Sequence, residues 1–497
     1  MPGPLEVELK LELAPEDMGK VLASVRSPGA SDRPKNLDSV YFDTAAHDLD
    51  NAGFTLRVRH IGNRKIQTIK ASASGAAGLL VRPEWEYPID SDRPTYDVPD
   101  CPLPDAVPAA TLDAIAPIFH SIVSRRTFDV TEGESQIEVA ADTGEITAGG
   151  TSVPVSELEL ELKSGAPQDL FTLARKLDAV APVRLGVLTK PERGYRLSGS
   201  RAGRAEKAAD LDLDPAMPAA AAFEAIAHNC IRQFRLNEAL LMTEDRASAV
   251  HQARVALRRL RSAFTLFRPM LRDDLYQHLK DELRWLAGSL GDARDLDVLI
   301  PRITDKALSA RLEKARQQAY AAARQALASP RARGLMLDLA EWLALGDWRI
   351  DPANPALPEQ SIAERAAEIL DKHFKRITRD GENLASLDDE ARHEVRIDAK
   401  KLRYAAEFFT GLFQEERSVR RATAFLAALK ELQQHLGDLN DMATAPATLG
   451  ALGLNAKTID QLIDHKDREK LLENAEQAWE QLVDVKRFWK QAAKTTK

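Results

Sequence analysis

The chain has 497 residues, 29% charged and 44% hydrophobic, with a formal net charge of −8. That length holds two or three domains, each able to bury its own core. The acidic balance opposes bulk attraction to nucleic acid or anionic lipid, and no apolar run reaches the ~20 residues that cross a bilayer. The N-terminal MPGPLEVELK lacks the basic and apolar regions of a signal peptide, so a cytoplasmic location with no membrane partner is expected. Cys101 and Cys230 are too few and too far apart for a disulfide framework or a zinc site.

In LEVELKLEL, residues 5 to 13, Glu6, Glu8, Lys10 and Glu12 alternate with aliphatic residues. Period-2 alternation predicts a half-buried strand with every charge on one face. That face is either solvated or turned into the lumen of a closed sheet. Further short alternating segments follow to about residue 200: SVYFDT, FTLRVRHIGNRKIQTIK, PEWEYPID, SRRTFDV, IEVAADTGEITAGG, SELELEL and GYRLSG. The second of these reads as a hairpin turning at Gly62-Asn63, a pair that tolerates positive φ. PQDLFTLARKLDAV reads as a helix.

The charges in this half recur on alternate positions. Arg57 and Arg59 share one strand face, Lys70 ends QTIK, Glu84 and Glu86 alternate in PEWEY, and Arg125 and Arg126 sit in SRRTF. Asp142 precedes a TGE turn, Glu157, Glu159 and Glu161 line one face of SELELEL, and Lys190 and Arg193 lie in TKPERGYRL. Three carboxylates on one face repel one another unless cations compensate them. Mg²⁺ with carboxylate and phosphate oxygens as ligands, and arginine forks and lysines on the remaining phosphate charge, form a consistent set.

These segments, from EVELKLEL through VYFDTAAHDLDNAGFTLRVR, QTIK, RPEWEYPI, SRRTF, DTGEI and ELELELKSG to TKPERGYRL, resemble in order the CYTH domain of the triphosphate tunnel metalloenzymes, over residues 5 to 198. The resemblance implies an eight-stranded antiparallel barrel around a tunnel, with Mg²⁺ or Mn²⁺ on its acids and a linear triphosphate on its bases. Carried over by position, Glu6 and Glu8 are metal ligands and Lys10 a phosphate contact, and these three are the catalytic candidates. Arg57, Arg59, Lys70, Arg125 and the alternative Arg126, Lys190 and Arg193 cradle the triphosphate. Glu84, Glu86, Asp142, Glu157, Glu159 and Glu161 complete the metal candidates. The paired glutamates of the family fall on 157 and 159 or on 159 and 161, so Glu159 belongs to both registers. No general base is assigned.

Residues 201–217 are small, charged and aperiodic, as in a linker. Beyond them come long Ala-, Leu- and Arg-rich segments of helical period, an all-α pattern. HQARVALRRLRSAFTLF at 251 aligns without gaps on HEVRIDAKKLRYAAEFF at 393, and LGDARDLDVL at 290 answers LGDLNDMATA at 436. Two repeat units, about 218–355 and 356–490, are implied. In each, a histidine heads a basic stripe at offsets 0, 3, 7 and 10, within about 80° of the helix circumference. The stripes are His251, Arg254, Arg258, Arg261 and His393, Arg396, Lys400, Arg403. From Arg246 to Arg272 there are seven arginines and no acid, which points to an anion groove where the two units face each other. Neither histidine has a second ligand at i+4, so zinc is disfavoured. His228, His278, His373 and His435 read as interface or capping residues. Asp292, Asp295, Asp438 and Asp441 read either as ion-pair partners of the stripes or as helix-start acids.

This half resembles the CHAD domain over about 218 to 490, a family associated with polyphosphate. The sequence therefore predicts a multidomain chain, with a tunnel barrel carrying a few helices over 1–200, a linker over 201–217 and a duplicated helical bundle over 218–490. The expected function is metal-dependent hydrolysis of inorganic triphosphate to pyrophosphate and phosphate in the tunnel, with polyphosphate bound by the bundle. Thiamine triphosphatase or adenylate cyclase activity in the same tunnel, and a non-catalytic polyphosphate sensor, are the alternatives. Nucleic acid is disfavoured by net charge and by the scarcity of aromatic residues among the basic ones.

Overall fold

A computed structural model describes residues 6–26, 33–71, 79–199, 203–271, 273–303, 305–349, 359–451 and 468–490, with the backbone alone at 6, 79–82, 302, 444, 445, 447–449 and 451. The first half is an antiparallel sheet of β1 (Glu6–Leu13), β2 (Lys35–Asp43), β3 (Phe54–Ile61), β4 (Arg64–Ala71), β5 (Leu79–Arg82), β6 (Glu84–Ile89), β7 (Ala116–Glu132), β8 (Ser135–Ala148), β9 (Thr151–Ser164) and β10 (Val183–Leu185). Nine strands follow one path in the order β10-β1-β9-β8-β7-β2-β3-β4-β6, and β5 pairs with β1 off that path. The ladder is therefore open, with β10 and β6 at its ends, where a closed eight-stranded barrel was expected.

The alternation of β1 is realised as read. Leu9, Leu11 and Leu13 are buried with Leu158 and Leu160 of β9. They pack under α1 (Met18–Val25) and α5 (Gln168–Val180), whose Met18, Val21, Leu170 and Phe171 close the outer face of the sheet. The even-numbered residues are left on the concave face. The hairpin between β3 and β4 turns at Gly62, φ +59°, with Ile61 opposite Arg64. Short helices α2 (Asp48–Asn51), α3 (Leu103–Ala106) and α4 (Ala109–Asp113) fill the connections.

Two local expectations are corrected. The TGE segment after Asp142 is no turn, because β8 runs through it. Gly144 is needed there since a Cβ would stand 2.0 Å from the carbonyl oxygen of Ile122 on β7. GYRLSG is not a strand but the end of α6 (Lys190–Ser198). Its start is fixed by a capping box in which the Thr189 side chain accepts from the Glu192 amide, with Pro191 in the first turn.

The second half is helical: α7 (Ala219–Leu241), α8 (Ala247–Leu266), α9 (Asp274–Ser289), α10 (Gly291–Leu299), α11 (Lys306–Ala328), α12 (Pro330–Leu345), α13 (Ile362–Asp380), α14 (Asp389–Phe409), α15 (Glu416–Ala451) and α16 (Arg468–Asp484). The duplication shows where the units meet. Ala219 N donates to Gln360 O (2.8 Å) and Ile362 N to Met217 O (2.9 Å), so α7 and α13 begin side by side in matching positions. Each unit has its own aromatic cluster, Phe223, Phe264, Phe267, Trp342 and Trp348 in the first and Phe374, Phe425, Phe488 and Trp489 in the second. The first LGD segment breaks the chain between α9 and α10, whereas the second lies inside the continuous α15. Asp438 and Asp441 are thus mid-helix residues, and the helix-start reading holds for Asp292 alone among the four.

Residues 203–217 contain no helix or strand but are not loose. Leu213 is buried, and Glu206 N donates to Asn237 Oδ1 (3.1 Å). One apolar cluster runs from the outer face of the sheet through α5 into α7, α8 and α12. Arg175 of α5 pairs with Asp338 (2.6 Å) and Glu341 (2.5 Å) of α12, and Arg333 with Asp178 (2.5 Å), so the two halves are docked. No helix among the described residues is long and apolar enough to cross a membrane.

Candidate functional site

Register assembles the charges of the sheet. Across β1, β9, β8 and β7, Lys10 stands opposite Glu159, Glu12 opposite Glu157, Glu157 opposite Asp142, and Asp142 opposite Arg125. On the facing wall Arg57 lies between Tyr41 and Thr68, Thr68 beside Glu86, and Lys70 beside Glu84. The capping box then delivers Lys190 at the first position of α6. Together they bound a cavity of about 550 Å³. Lys10, Arg57, Arg59, Lys70, Arg125 and Lys190 line it, facing the carboxylates of Glu8, Glu84, Glu86, Glu159 and Glu161.

Asp142 and Glu157, both fully buried, lie beneath this wall. Lys190 Nζ reaches Asp142 (2.5 Å), Glu157 (2.5 Å) and Glu159 (2.9 Å), and Lys10 Nζ reaches Glu159 (2.5 Å) and Glu157 (3.1 Å). Arg125 forks onto Asp142 (Nε–Oδ1 2.8 Å, Nη2–Oδ2 2.6 Å) and also pairs with Glu159. Arg193 is outside the cavity lining and joins Glu157 (3.1 Å) to Glu12 (2.6 Å). Burial opposes ionisation of all three acids, yet Lys10, Lys190, Arg125 and Arg193 outweigh it and hold Asp142, Glu157 and Glu159 below the usual carboxylate range. Burial likewise opposes charge on Lys10, and Glu157, Glu159 and Glu8 hold its ammonium above the usual range.

Oxygens of Asp142, Glu157 and Glu159 lie within 4.8 Å of one another, the spacing of a cation site. All three are already engaged by lysine and arginine. Glu8 stands directly opposite Glu161 on the neighbouring strand, and Glu161 also pairs with Lys163 (2.6 Å). Glu8, Glu159 and Glu161 all line the cavity, so the chemistry of this donor set suits an oxygen-coordinated metal, with Lys10 and Lys190 competing for Glu159 and Lys163 for Glu161. Glu84 pairs with Lys70 (2.7 Å), and Glu86 accepts from Thr68 (3.2 Å). Of the two arginine candidates on β7, Arg125 enters the cavity and Arg126, next along the strand, is not among its lining residues. The side chain of Glu6 lies outside the described residues.

Cationic charge on the β3 wall is in excess. Burial, with Arg57 adjacent, pulls the Arg59 guanidinium down to about 10. Burial would raise the Tyr41 phenol, but Arg57 and Arg59 bring it below its usual value. Such a wall favours an incoming anion. Tyr41 and Thr189 line the cavity and were not singled out from the sequence. For Thr189 the signal was present, as the T-x-x-E capping box. For Tyr41 it was the alternation that puts it on one face with Ser39.

In the helical half, α8 and α14 pack against each other and bring the two stripes together. Arg258 lies near Arg396 and Lys400, and Asp441 is also near those two. Burial, then Arg396 and Arg258, lower Lys400 to about 7. Arg254 donates to Ala287 O (3.0 Å) beside Asp295, whose carboxyl burial raises. Side-chain nitrogens of Arg258, Arg261 and Arg396 are buried without a hydrogen-bond partner. His251 is half-buried beside Arg254 and Arg258, and His393 is exposed and bonded to Asn440 (2.6 Å). Arg403 departs from the pattern, because it pairs with Glu407 (3.2 Å). His228 and His373, lowered by burial to about 3 and about 4, are neutral interior residues.

Residues 4–195 match the family model of the CYTH domain and residues 225–450 that of the CHAD domain. The inorganic triphosphatase of Haemophilus influenzae is 33% identical over 200 residues, 39% of this chain and 56% of that protein, so the match spans little more than half of that relative. An uncharacterized protein of Mycobacterium tuberculosis is 27% identical over 451 residues, 81% of this chain and 82% of that one. Among solved structures, the CHAD domain from the plant Ricinus communis is 31% identical, covers 56% of this chain and 96% of that chain, and gives a TM-score of 0.48. A putative adenylyl cyclase from Hippeastrum, described as having a dominant triphosphatase activity, is 16% identical, covers 39% and 96%, and gives 0.31.

Proposed function

The chain joins a CYTH domain to a CHAD domain, and from that premise we propose that it hydrolyses inorganic triphosphate in the cavity of the sheet and binds polyphosphate along the groove of the helical bundle. The observation that carries the reading is the cavity wall, where six cationic side chains face five carboxylates. Triphosphatase activity is the named function of the Haemophilus relative, which aligns with this chain over 200 residues.

In this reading Arg57, Arg59, Lys70 and Arg125 hold phosphate oxygens through charge-assisted hydrogen bonds, and Lys10 and Lys190 offset phosphate charge both in the bound substrate and on the leaving pyrophosphate. Glu8, Glu159 and Glu161 would hold Mg²⁺ or Mn²⁺, which would supply Lewis-acid neutralisation of phosphate charge. Glu159, held well below the usual carboxylate range, is a poor acceptor for the proton of that water at neutral pH. Closure of the sheet into a tunnel is part of the proposal. It is supported by β5, which pairs with β1 and is separated from β6, on the opposite edge, by Pro83 alone.

A bare triphosphate is favoured over thiamine triphosphate or ATP because, among the described residues, Tyr41 and Pro191 are the ring side chains that line the cavity, leaving little surface for an aromatic base. Polyphosphate in the groove would engage Arg254, Arg258, Arg396 and Lys400, localising the enzyme while cleavage stays in the cavity. The test is phosphate release from inorganic triphosphate, thiamine triphosphate and ATP with Mg²⁺, Mn²⁺ or EDTA. Metal-dependent release, fastest from inorganic triphosphate, is expected, and no release from any of the three refutes the enzymatic reading.

A further inference from the structure

Arg235 belongs to α7, the first helix of the bundle, yet its side chain is buried at 2% exposure against the sheet domain. Its Nε donates to Leu185 O (3.0 Å), its Nη1 pairs with Glu238, and its Nη2 stands 3.8 Å from Glu12 Oε2. One turn earlier, Arg232 donates to Val187 O (2.6 Å) and pairs with Glu192 (2.8 Å). Leu185, Val187 and Glu192 bracket the segment that presents Lys190 to Asp142, Glu157 and Glu159. A second route runs through side chains. Glu12 accepts from Arg193 (2.6 Å), Arg193 donates to Glu157 (3.1 Å), and Glu157 binds Lys10 and Lys190.

Two connections therefore lead from one buried arginine of the helical bundle to the lysines of the cavity. The ion pairs of Arg175 behave differently, because they run only between α5 and α12 and reach no cavity residue.

We propose that Arg235 is a positioning residue for the anion site: it fixes Glu12 and the backbone at Leu185, and through them the placement of Lys190 and Glu157. This rests on the reading of the cavity as a triphosphate site. It makes the helical bundle a structural part of that site, in addition to any ligand it binds itself. A network with one arrangement of its charges transmits the loss of an end member to the other end, with couplings that change an affinity by about 2- to 30-fold.

The experiment uses the full chain. Arg235→Ala is expected to raise KM for triphosphate about tenfold with kcat changed less than about twofold, because the lysines it places contact the anion before and during reaction. Arg235→Lys, which keeps the charge beside Glu12, is expected to recover part of the loss. Glu12→Gln should also raise KM, and Arg235→Ala combined with Glu12→Gln should be no worse than the poorer single variant. Arg175→Ala should lower the thermal midpoint and leave KM unchanged.

Calorimetric binding of triphosphate in EDTA gives a reading that needs no turnover. If the wild type binds but does not hydrolyse, the enzymatic reading fails and the Arg235 comparison still decides this one. Equal affinities for wild type and Arg235→Ala, additive effects in the double variant, or an equal rise in KM for Arg175→Ala would each overturn the proposal. A wild type that does not bind triphosphate at all overturns it together with the reading it rests on. Should Arg235→Ala fail to fold, Arg235→Lys and Glu12→Gln carry the test.

Discussion

Replacing Lys190 by Met probes the charge balance on which the cavity stands. Its ammonium lies 2.5 Å from Asp142, 2.5 Å from Glu157 and 2.9 Å from Glu159, with its side chain 8% exposed. Lys10, Arg125 and Arg193 share these carboxylates with it. Methionine fills the volume of the lysine stem but leaves one negative charge uncompensated in a buried site. Breaking a buried pair from one side costs about 3–5 kcal/mol.

Because a chain of this size need not unfold in one step, the quantity to follow is the denaturant dependence of amide exchange in β8 and β9. Lys190→Met should lower the opening free energy of those strands by about 3–5 kcal/mol. Adding Glu157→Gln restores the balance and should return about 2 kcal/mol of it, since a buried charge is thereby removed with its partner. A loss below about 1 kcal/mol in the single variant, or simple additivity in the double, would refute the reasoning, for then the lysine would be as weakly coupled as a surface ion pair.

Acid should spare the sheet until low pH. The folded-state pKa values of Asp142, Glu157 and Glu159 are depressed, so the stability they contribute is present above the ordinary carboxylate range and lost only as pH falls through the folded values. Exchange protection of β8 and β9 should hold down to about pH 4, and Lys190→Met should raise that threshold. The groove should respond oppositely. Lys400, lowered to about 7, is charged below that pH and neutral above it, so polyphosphate affinity of the full chain should fall as pH rises from 6 to 8. Lys400→Arg should abolish that dependence in a binding titration. Gly194→Ala on α6 would bring a Cβ to 2.2 Å from the Phe119 ring, and an overpacking cost of about 1–3 kcal/mol should appear as a lower thermal midpoint.

The legible parts of the sequence were those where one period governs many residues. Alternation placed Glu8, Lys10, Arg57, Arg59, Glu159 and Glu161 on faces that do meet at the cavity, and helical spacing aligned the two stripes that converge at Arg258, Arg396 and Lys400. Alternation failed at GYRLSG, where the Thr189–Glu192 capping box outweighed a strand-like pattern, and the turn reading failed at TGE, where Gly144 answers to Ile122 on a neighbouring strand. The division of the acids between wall and floor was also hidden. Asp142, Glu157 and Glu159 are alike in one dimension, and only the depth of the fold buries the first two under Lys190 and Arg125. Apart from its i, i+3 pair with Glu238, Arg235 carries no local signal, since its partners in the sheet domain lie 50 residues away on β10 and farther still on β1.

The central claim, that the charged face of β1 lines a metal-dependent triphosphatase site, is tested most directly by phosphate release from inorganic triphosphate with Mg²⁺, comparing the wild type with Glu8→Ala. Glu8 is 5% exposed, lines the cavity and stands opposite Glu161. The account predicts EDTA-sensitive release by the wild type and a rate at least about a hundredfold lower in the variant, the scale of losing a group that stabilises transition-state charge. Equal rates in the two proteins, or release that persists in EDTA, would contradict it.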